Sequence, residues 1–142
     1  MREAQGFLLV FSLTSSSSLD ELHELREQIQ QIKNDTDVPI VLVGNKSDLE
    51  DNRRVSCSTG IRISKSWRTP KSNPYWETSP RKDAVPYYET SARQGQHTSE
   101  VFVDICRQII KHDIARAATR QEERTATKGK GHDRPRRRCT IL

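Results

Sequence analysis

The sequence predicts an α/β fold, a mostly parallel sheet in a three-layer arrangement. Two observations carry that prediction. Apolar runs of strand length alternate with amphipathic helical segments in the order strand, helix, strand, helix, strand, helix, the pattern of right-handed crossovers onto one sheet. The first two strand runs are also continuous rather than alternating in polarity, as in strands covered on both faces. At 142 residues the chain is long enough for one domain with a core of its own.

GFLLVFSL (6–13) is the first buried-strand run. Ser18-Leu19-Asp20-Glu21 reads as a capping box opening a helix. Leu19, Leu22, Leu25, Ile29 and Ile32 recur at helical spacing as its inward stripe, and the polar stretch Asn34 to Asp37 ends it. VPIVLV (38–43) is the second strand. A weaker helix is expected over Gly60–Trp67. Residues 68–85, with Pro70, Pro74 and Pro80 among Ser, Asn and Lys, read as an inserted loop. PYYETSA (86–92) is the third strand, and TSEVFVDICRQII (98–110) the last helix, with Val101, Phe102, Ile105 and Ile109 expected to face inward. Apolar content collapses beyond Ala115, so 118–138 is expected to be disordered. The chain thus divides into a domain at 1–114 and a tail at 115–142.

Charge follows the same division. Residues 111–138 hold ten basic and four acidic side chains, whereas the rest of the chain carries a net charge of −1. A near-neutral body argues against a nucleic-acid-binding face on the folded part. Mean hydropathy is low at −0.83, and no run approaches the roughly 18 apolar residues of a membrane span. Cys57, Cys106 and Cys139 are odd in number and widely spaced, which suggests neither a disulfide framework nor a zinc site. His23, His97, His112 and His132 pair with no cysteine at metal spacing. The first eighteen residues loosely resemble a secretory signal, and Asn34 and Asn45 open sequons. The apolar core is short, however, and Glu3 interrupts the basic end.

In a parallel sheet, ligands sit at the carboxyl ends of strands, so the loops at Asn45 and Ser91 are where a site is expected. Asn45-Lys46-Ser47-Asp48 directly follows VPIVLVG. Selecting guanine requires an acceptor for two adjacent donors, N1–H and the 2-amino group, and one carboxylate such as Asp48 can accept both. Asn45 can donate its amide to a ring nitrogen and brace the neighbouring loop, and the stem of Lys46 can lie along the ring face. The bland alternative for the tetrapeptide is a solvated polar turn.

With these motifs the chain resembles the Ras superfamily of small GTPases, and within it the Rap-like branch with its bud-site-selection members. GFLLVFSLTSSSSLDELHELREQIQQIKNDTDVPIVLVGNKSDLED carries most of the likeness; NKSD is similar to the family's NKxD guanine motif and ETSAR (89–93) to its ETSAK motif. The resemblance covers roughly 6–67, 86–114 and the last four residues. It implies a P-loop NTPase-type fold, a GTP/GDP switch using Mg²⁺, and partners that are exchange factors, GTPase-activating proteins and effectors. It assigns guanine binding to Asn45, Lys46, Asp48, Ser91, Ala92 and Arg93, with the backbone N–H of Ala92 directed at the guanine O6.

The ETSAR motif occurs nearly twice. PYWETSPR (74–81) and PYYETSAR (86–93) differ chiefly in placing Pro80 where Ala92 stands. Proline has no backbone N–H, so the first copy cannot make the O6 contact. Ser79 lies nearer Asp48 in sequence, at a spacing closer to the family's. Loop length is thermodynamically cheap to change, so the missing donor decides for Ser91, Ala92 and Arg93.

The phosphate half of the family's machinery has no counterpart in these residues. The six glycines include no pair five apart, as Gly-x₄-Gly-Lys-Ser/Thr requires, and no Asp stands three before any of them. MRE at the start resembles the end of the second switch region. The phosphate cradle, magnesium ligands, switches and three strands that precede it in the family are therefore expected to be missing, along with the catalytic-water glutamine. This chain is expected to be a truncated GTPase that does not hydrolyse GTP by itself, with GFLLVFSL left as an apolar sheet edge.

Cys139-Thr140-Ile141-Leu142 is a C-a-a-X pattern whose terminal Leu favours geranylgeranyl transfer to Cys139 by a prenyltransferase. Arg134, Arg136, Arg137 and Arg138 stand immediately upstream and supply the second, electrostatic signal for an anionic membrane leaflet. The expected location is the cytoplasmic face of the plasma membrane or endomembranes. The competing reading is a non-enzymatic, prenylated interaction protein that uses the same helices without nucleotide.

Overall fold

The structure, a computed structural model, describes residues 3–67 and 84–129, the last eight as backbone only. Three parallel strands form one sheet in the order β1–β2–β3: β1 is Phe7–Ser12, β2 Ile40–Asn45 and β3 Tyr87–Thr90. Leu9 aligns with Leu42 and Val43 with Tyr88. Among the described residues β1 pairs only with β2, which puts GFLLVFSL at a sheet edge.

Helix α1 (Ser16–Lys33) and helix α2 (Cys57–Ser66) cover one face of the sheet. Leu9, Phe11, Leu13, Leu19, Leu22, Ile29, Ile40, Leu42 and Trp67 form the core between them. Helix α3 (Thr98–Gly129) covers the other face, where Val101 and Ile105 pack on Val41 and Val43. Three layers result, the central one a three-stranded sheet. Each large apolar side chain buried in them stabilises the fold by about 1.5–3 kcal/mol.

Local details depart from the sequence reading in instructive ways. Helix α1 starts one turn earlier than the Ser18 box, because Ser15 caps it by accepting from the Ser18 amide. Ser18 instead accepts from the Ser12 amide at 3.0 Å and donates to the Ser15 carbonyl at 2.8 Å. In a run of four serines any one can cap; the geometry of the preceding strand chooses. Ile32 is 44% exposed, since it lies off the line through Leu19, Leu22 and Ile29. Strand β2 begins at Ile40 rather than Val38, after Pro39. Helix α2 begins three residues before Gly60, where the Ser56 side chain accepts from the Thr59 amide.

Helix α3 runs through Gly129, well past the point where apolar content falls. Ala115, Ala117, Ala118, Arg116, Arg120 and Gln121 are strong helix formers, so backbone propensity carries the helix where burial no longer does. Phe102 is 61% exposed rather than inward. The remaining tail, with Cys139 and the four arginines, and the first ETSPR copy lie outside the described residues.

Candidate functional site

The carboxyl ends of β2 and β3 bring two loops together. Strand β2 delivers Asn45 at its last position, and the chain then turns through Lys46, whose φ of 70° places it in the left-handed region. A non-glycine residue is held there at a cost of about 1–2 kcal/mol. The Asn45 side chain holds this turn: its Oδ1 accepts from the Lys46 amide at 2.8 Å. The same oxygen accepts from the Ala92 amide at 3.2 Å and the Thr90 hydroxyl at 3.4 Å. With Oδ1 committed to the loops, the amide NH₂ is the end left to face outward.

Asp48 sits opposite. Its Oδ1 accepts from the fully buried Ser91 hydroxyl at 2.7 Å. That bond, its own backbone amide and the charges of Arg93 and Lys46 outweigh desolvation and hold the carboxyl below the usual carboxylate range. Asp48 is therefore ionised and acceptor-only at neutral pH. The Ser47 amide donates to the Thr90 carbonyl at 3.0 Å, and Ser91 Oγ accepts from the Gln94 amide at 3.1 Å. Ser91 and Gln96 close the second loop through mutual backbone bonds.

The structure thus joins Asp48 to Ser91 and Asn45 to Ala92 by hydrogen bonds across the two loops. Lys46 and Arg93 stay at the exposed rim, Arg93 acting on Asp48 through its charge. A planar heterocycle entering here meets an acceptor carboxylate and an outward amide, beside the Ala92 N–H that in the ligand-free chain donates to Asn45 Oδ1.

The comparisons with known proteins decide the kinship. The Ras family profile matches residues 1–111. The chain belongs to the Ras family. It is 37% identical over 144 residues to the Ras-related protein Ral-a of Drosophila melanogaster, which covers 99% of this chain and 60% of that protein. The chain spans about three-fifths of the length of this curated relative.

Ras-family proteins in general work with GTP or GDP and Mg²⁺, so the fit of this chain to each part matters. The donors and acceptor just described suit a guanine base. The described residues contain no group of three or more His, Cys, Asp or Glu side chains able to hold a metal ion. The whole sequence lacks the glycine spacing of a phosphate cradle. Among the described residues the fit is to the base and not to phosphate or metal.

Sequence reasoning missed the support of this Ras-family site. Arg53, just beyond the 3₁₀ turn Glu50–Asn52, donates to both carboxylate oxygens of Glu89 at 3.0 and 2.9 Å. The Tyr87 hydroxyl donates to Glu89 at 2.8 Å. Burial pushes the Glu89 carboxyl up, but the Arg53 and Tyr87 hydrogen bonds outweigh it and leave the pKa lowered. Burial first, then the Glu89 carboxylate, pushes the Tyr87 phenol up, so the hydroxyl stays a donor. Glu89 was visible as the head of ETSAR; nothing in the spacing singled out Arg53.

Proposed function

We propose that this chain carries the guanine-recognition half of a Ras-like GTP/GDP switch, of the Rap- and Ral-like type, held at a membrane by a prenylated Cys139. The convergence of Asp48, Asn45 and the Ala92 amide at the ends of β2 and β3 carries this reading. Asp48 accepts from N1–H and the 2-amino group of guanine. The Asn45 amide donates to a ring nitrogen, the Ala92 N–H exchanges its bond to Asn45 Oδ1 for one to O6, and the Lys46 stem covers one ring face. Ser91 holds Asp48 in place. Adenine offers no adjacent donor pair to Asp48, so discrimination rests on that one side chain.

These residues fix base identity and supply no phosphate chemistry, so turnover of GTP by this chain alone is expected to stay at background. Exchange factors, GTPase-activating proteins and effectors are the partner classes that this reading implies. Titration of the purified chain with guanosine and adenosine tests it. Guanosine binding that exceeds adenosine binding by tenfold or more, and is abolished by Asp48→Ala, is the expected outcome. Equal binding, or none, favours the membrane-anchored interaction protein that works without nucleotide.

A further inference from the structure

The base site is assembled from two loops more than forty residues apart in sequence, one after β2 and one after β3. Five bonds tie them directly: Ser91 Oγ to Asp48 at 2.7 Å, the Ser47 amide to the Thr90 carbonyl at 3.0 Å, the Ala92 amide and the Thr90 hydroxyl to Asn45 Oδ1 at 3.2 and 3.4 Å, and the Ser47 hydroxyl to Gln96 at 3.3 Å. Those at Asp48, Asn45 and Ala92 use atoms that a base would engage or lie beside. A second set of contacts outside the pocket joins the same two segments. Arg53 stands five residues past Asp48, and Glu89 two residues before Ser91.

The Arg53 guanidinium is fixed on three sides. Its Nε donates to Glu50 at 2.8–2.9 Å and its Nη1 to the Val55 carbonyl at 3.2 Å, while Nη1 and Nη2 fork onto Glu89. The Arg53 and Glu89 side chains are only 19% and 22% exposed, so solvent screens this pair less than a surface pair. A two-pronged pair sets an orientation as well as a distance. The Tyr87 hydroxyl on Glu89 Oε1 removes freedom from the carboxylate itself.

We propose that Arg53 is a positioning residue for the base pocket: its fork onto Glu89 locks the Asn45–Asp48 loop in register with the Ser91–Ala92 loop. Arg53 reaches no base itself. It acts by keeping Asp48 and the Ala92 amide at a fixed separation, so that the pocket is formed before a ligand enters. The part of the proposal that concerns a ligand rests on the guanine reading; the part that concerns the two loops does not.

The test uses the full chain and two measurements. Amide hydrogen exchange on the ligand-free protein compares wild type, Arg53→Met, Arg53→Lys and the charge-swapped Arg53→Glu/Glu89→Arg. Exchange at Ser47 and Ala92 is expected to rise by about tenfold in Arg53→Met, with the Leu42 amide, which is bonded to Pro86, unchanged. The lysine variant, lacking the fork, should fall between Arg53→Met and wild type, and the swap should recover most of the protection. Guanosine titration of the same proteins should show weaker binding in Arg53→Met by a similar factor, with the preference over adenosine retained. Unchanged exchange at Ser47 and Ala92 overturns the proposal. An equal rise at Leu42 also overturns it, because the pair would then support the sheet as a whole. If wild type fails to prefer guanosine, the guanine reading falls, and the role of Arg53 is decided by exchange alone.

Discussion

Gly60→Ala sets two effects of opposite sign against each other, and the structure says which wins. Gly60 is buried in the first turn of α2, and its backbone is ordinary helix, with no positive φ. On propensity alone alanine would stabilise the helix by about 1 kcal/mol. The added Cβ, however, falls on the Tyr87 ring, 2.5 Å from its hydroxyl oxygen and 2.6 Å from Cε1. Contacts that short force the ring or the helix to move. Overpacking of this kind costs about 1–3 kcal/mol. A ring that swings away also loses the 2.8 Å bond to Glu89, and a bond to a charged acceptor contributes about 1.5–3 kcal/mol. With both losses counted, the penalty exceeds the gain by about 1.5–5 kcal/mol. Urea unfolding should show a lower midpoint at an unchanged slope. In a Tyr87→Val background the obstacle is gone, and the same Gly60→Ala change should then raise the midpoint. A stabilised Gly60→Ala single variant, or a loss that persists without the ring, would refute the reasoning.

At the far end of the sheet, the His112 hydrogen bond to Asp35 (3.2 Å) is the largest influence holding the Asp35 carboxyl below its ordinary 3.8; the Asp37 amide and Arg116 add to it, and burial opposes it. A depressed carboxyl pKa adds stability that is present above the unfolded value and is lost as pH falls through the folded one. Asp35→Asn should therefore be less stable than wild type at neutral pH, and its stability should fall less steeply below about pH 3.8; parallel urea-midpoint profiles would contradict this. Cys139→Ser should shift the protein from the membrane to the soluble fraction of a cell lysate, and unchanged fractionation would remove prenylation from the functional reading.

The strands were legible because burial on both faces leaves an unbroken apolar run, and the run in GFLLVFSL became β1 without its turn residues being known. The Asn45 and Asp48 loop was legible because a short polar motif follows such a run directly, and the ETSAR copy at Ala92 lies beside it, its amide meeting Asn45; the first copy lies outside the described residues. Helix boundaries were less so. Ser15, Ser16, Ser17 and Ser18 are interchangeable as caps in sequence, and the bond that Ser18 makes back to Ser12 exists only once β1 and α1 are oriented. Arg53 and Glu89 were beyond reach for a similar reason: an ion pair across thirty-six residues leaves no local period. The extension of α3 to Gly129 shows the converse limit, since a loss of apolar residues removes packing without removing helix propensity.

Phe102 makes the last distinction. Periodicity placed it with Val101, Ile105 and Ile109, yet it is 61% exposed, as is half of Val10 on the same face of β1. A period reports which side chains share a helix face; it says nothing about how wide the sheet beneath that face is. Here β1 is the last strand among the described residues on that side, and the α3 side chains that meet its start, at Gly6, are Ile105 and Ile109. The side-chain contacts of the base site come from elsewhere. Its polar contacts come from the loops after β2 and β3, which are paired to each other in register from Leu42–Tyr87 to Asn45–Thr90. The β1 side reaches the site through its backbone: the Leu13 amide donates to the Asn45 carbonyl at 2.9 Å, and the Leu13 carbonyl accepts from the Arg54 and Val55 amides at 2.8 and 3.0 Å. Whatever covers Val10 and Phe102 should therefore change the stability of the sheet more than the geometry at Asp48. Base recognition and edge protection meet where β1 pairs with β2, at Ser12 and Leu13 beside Asn45.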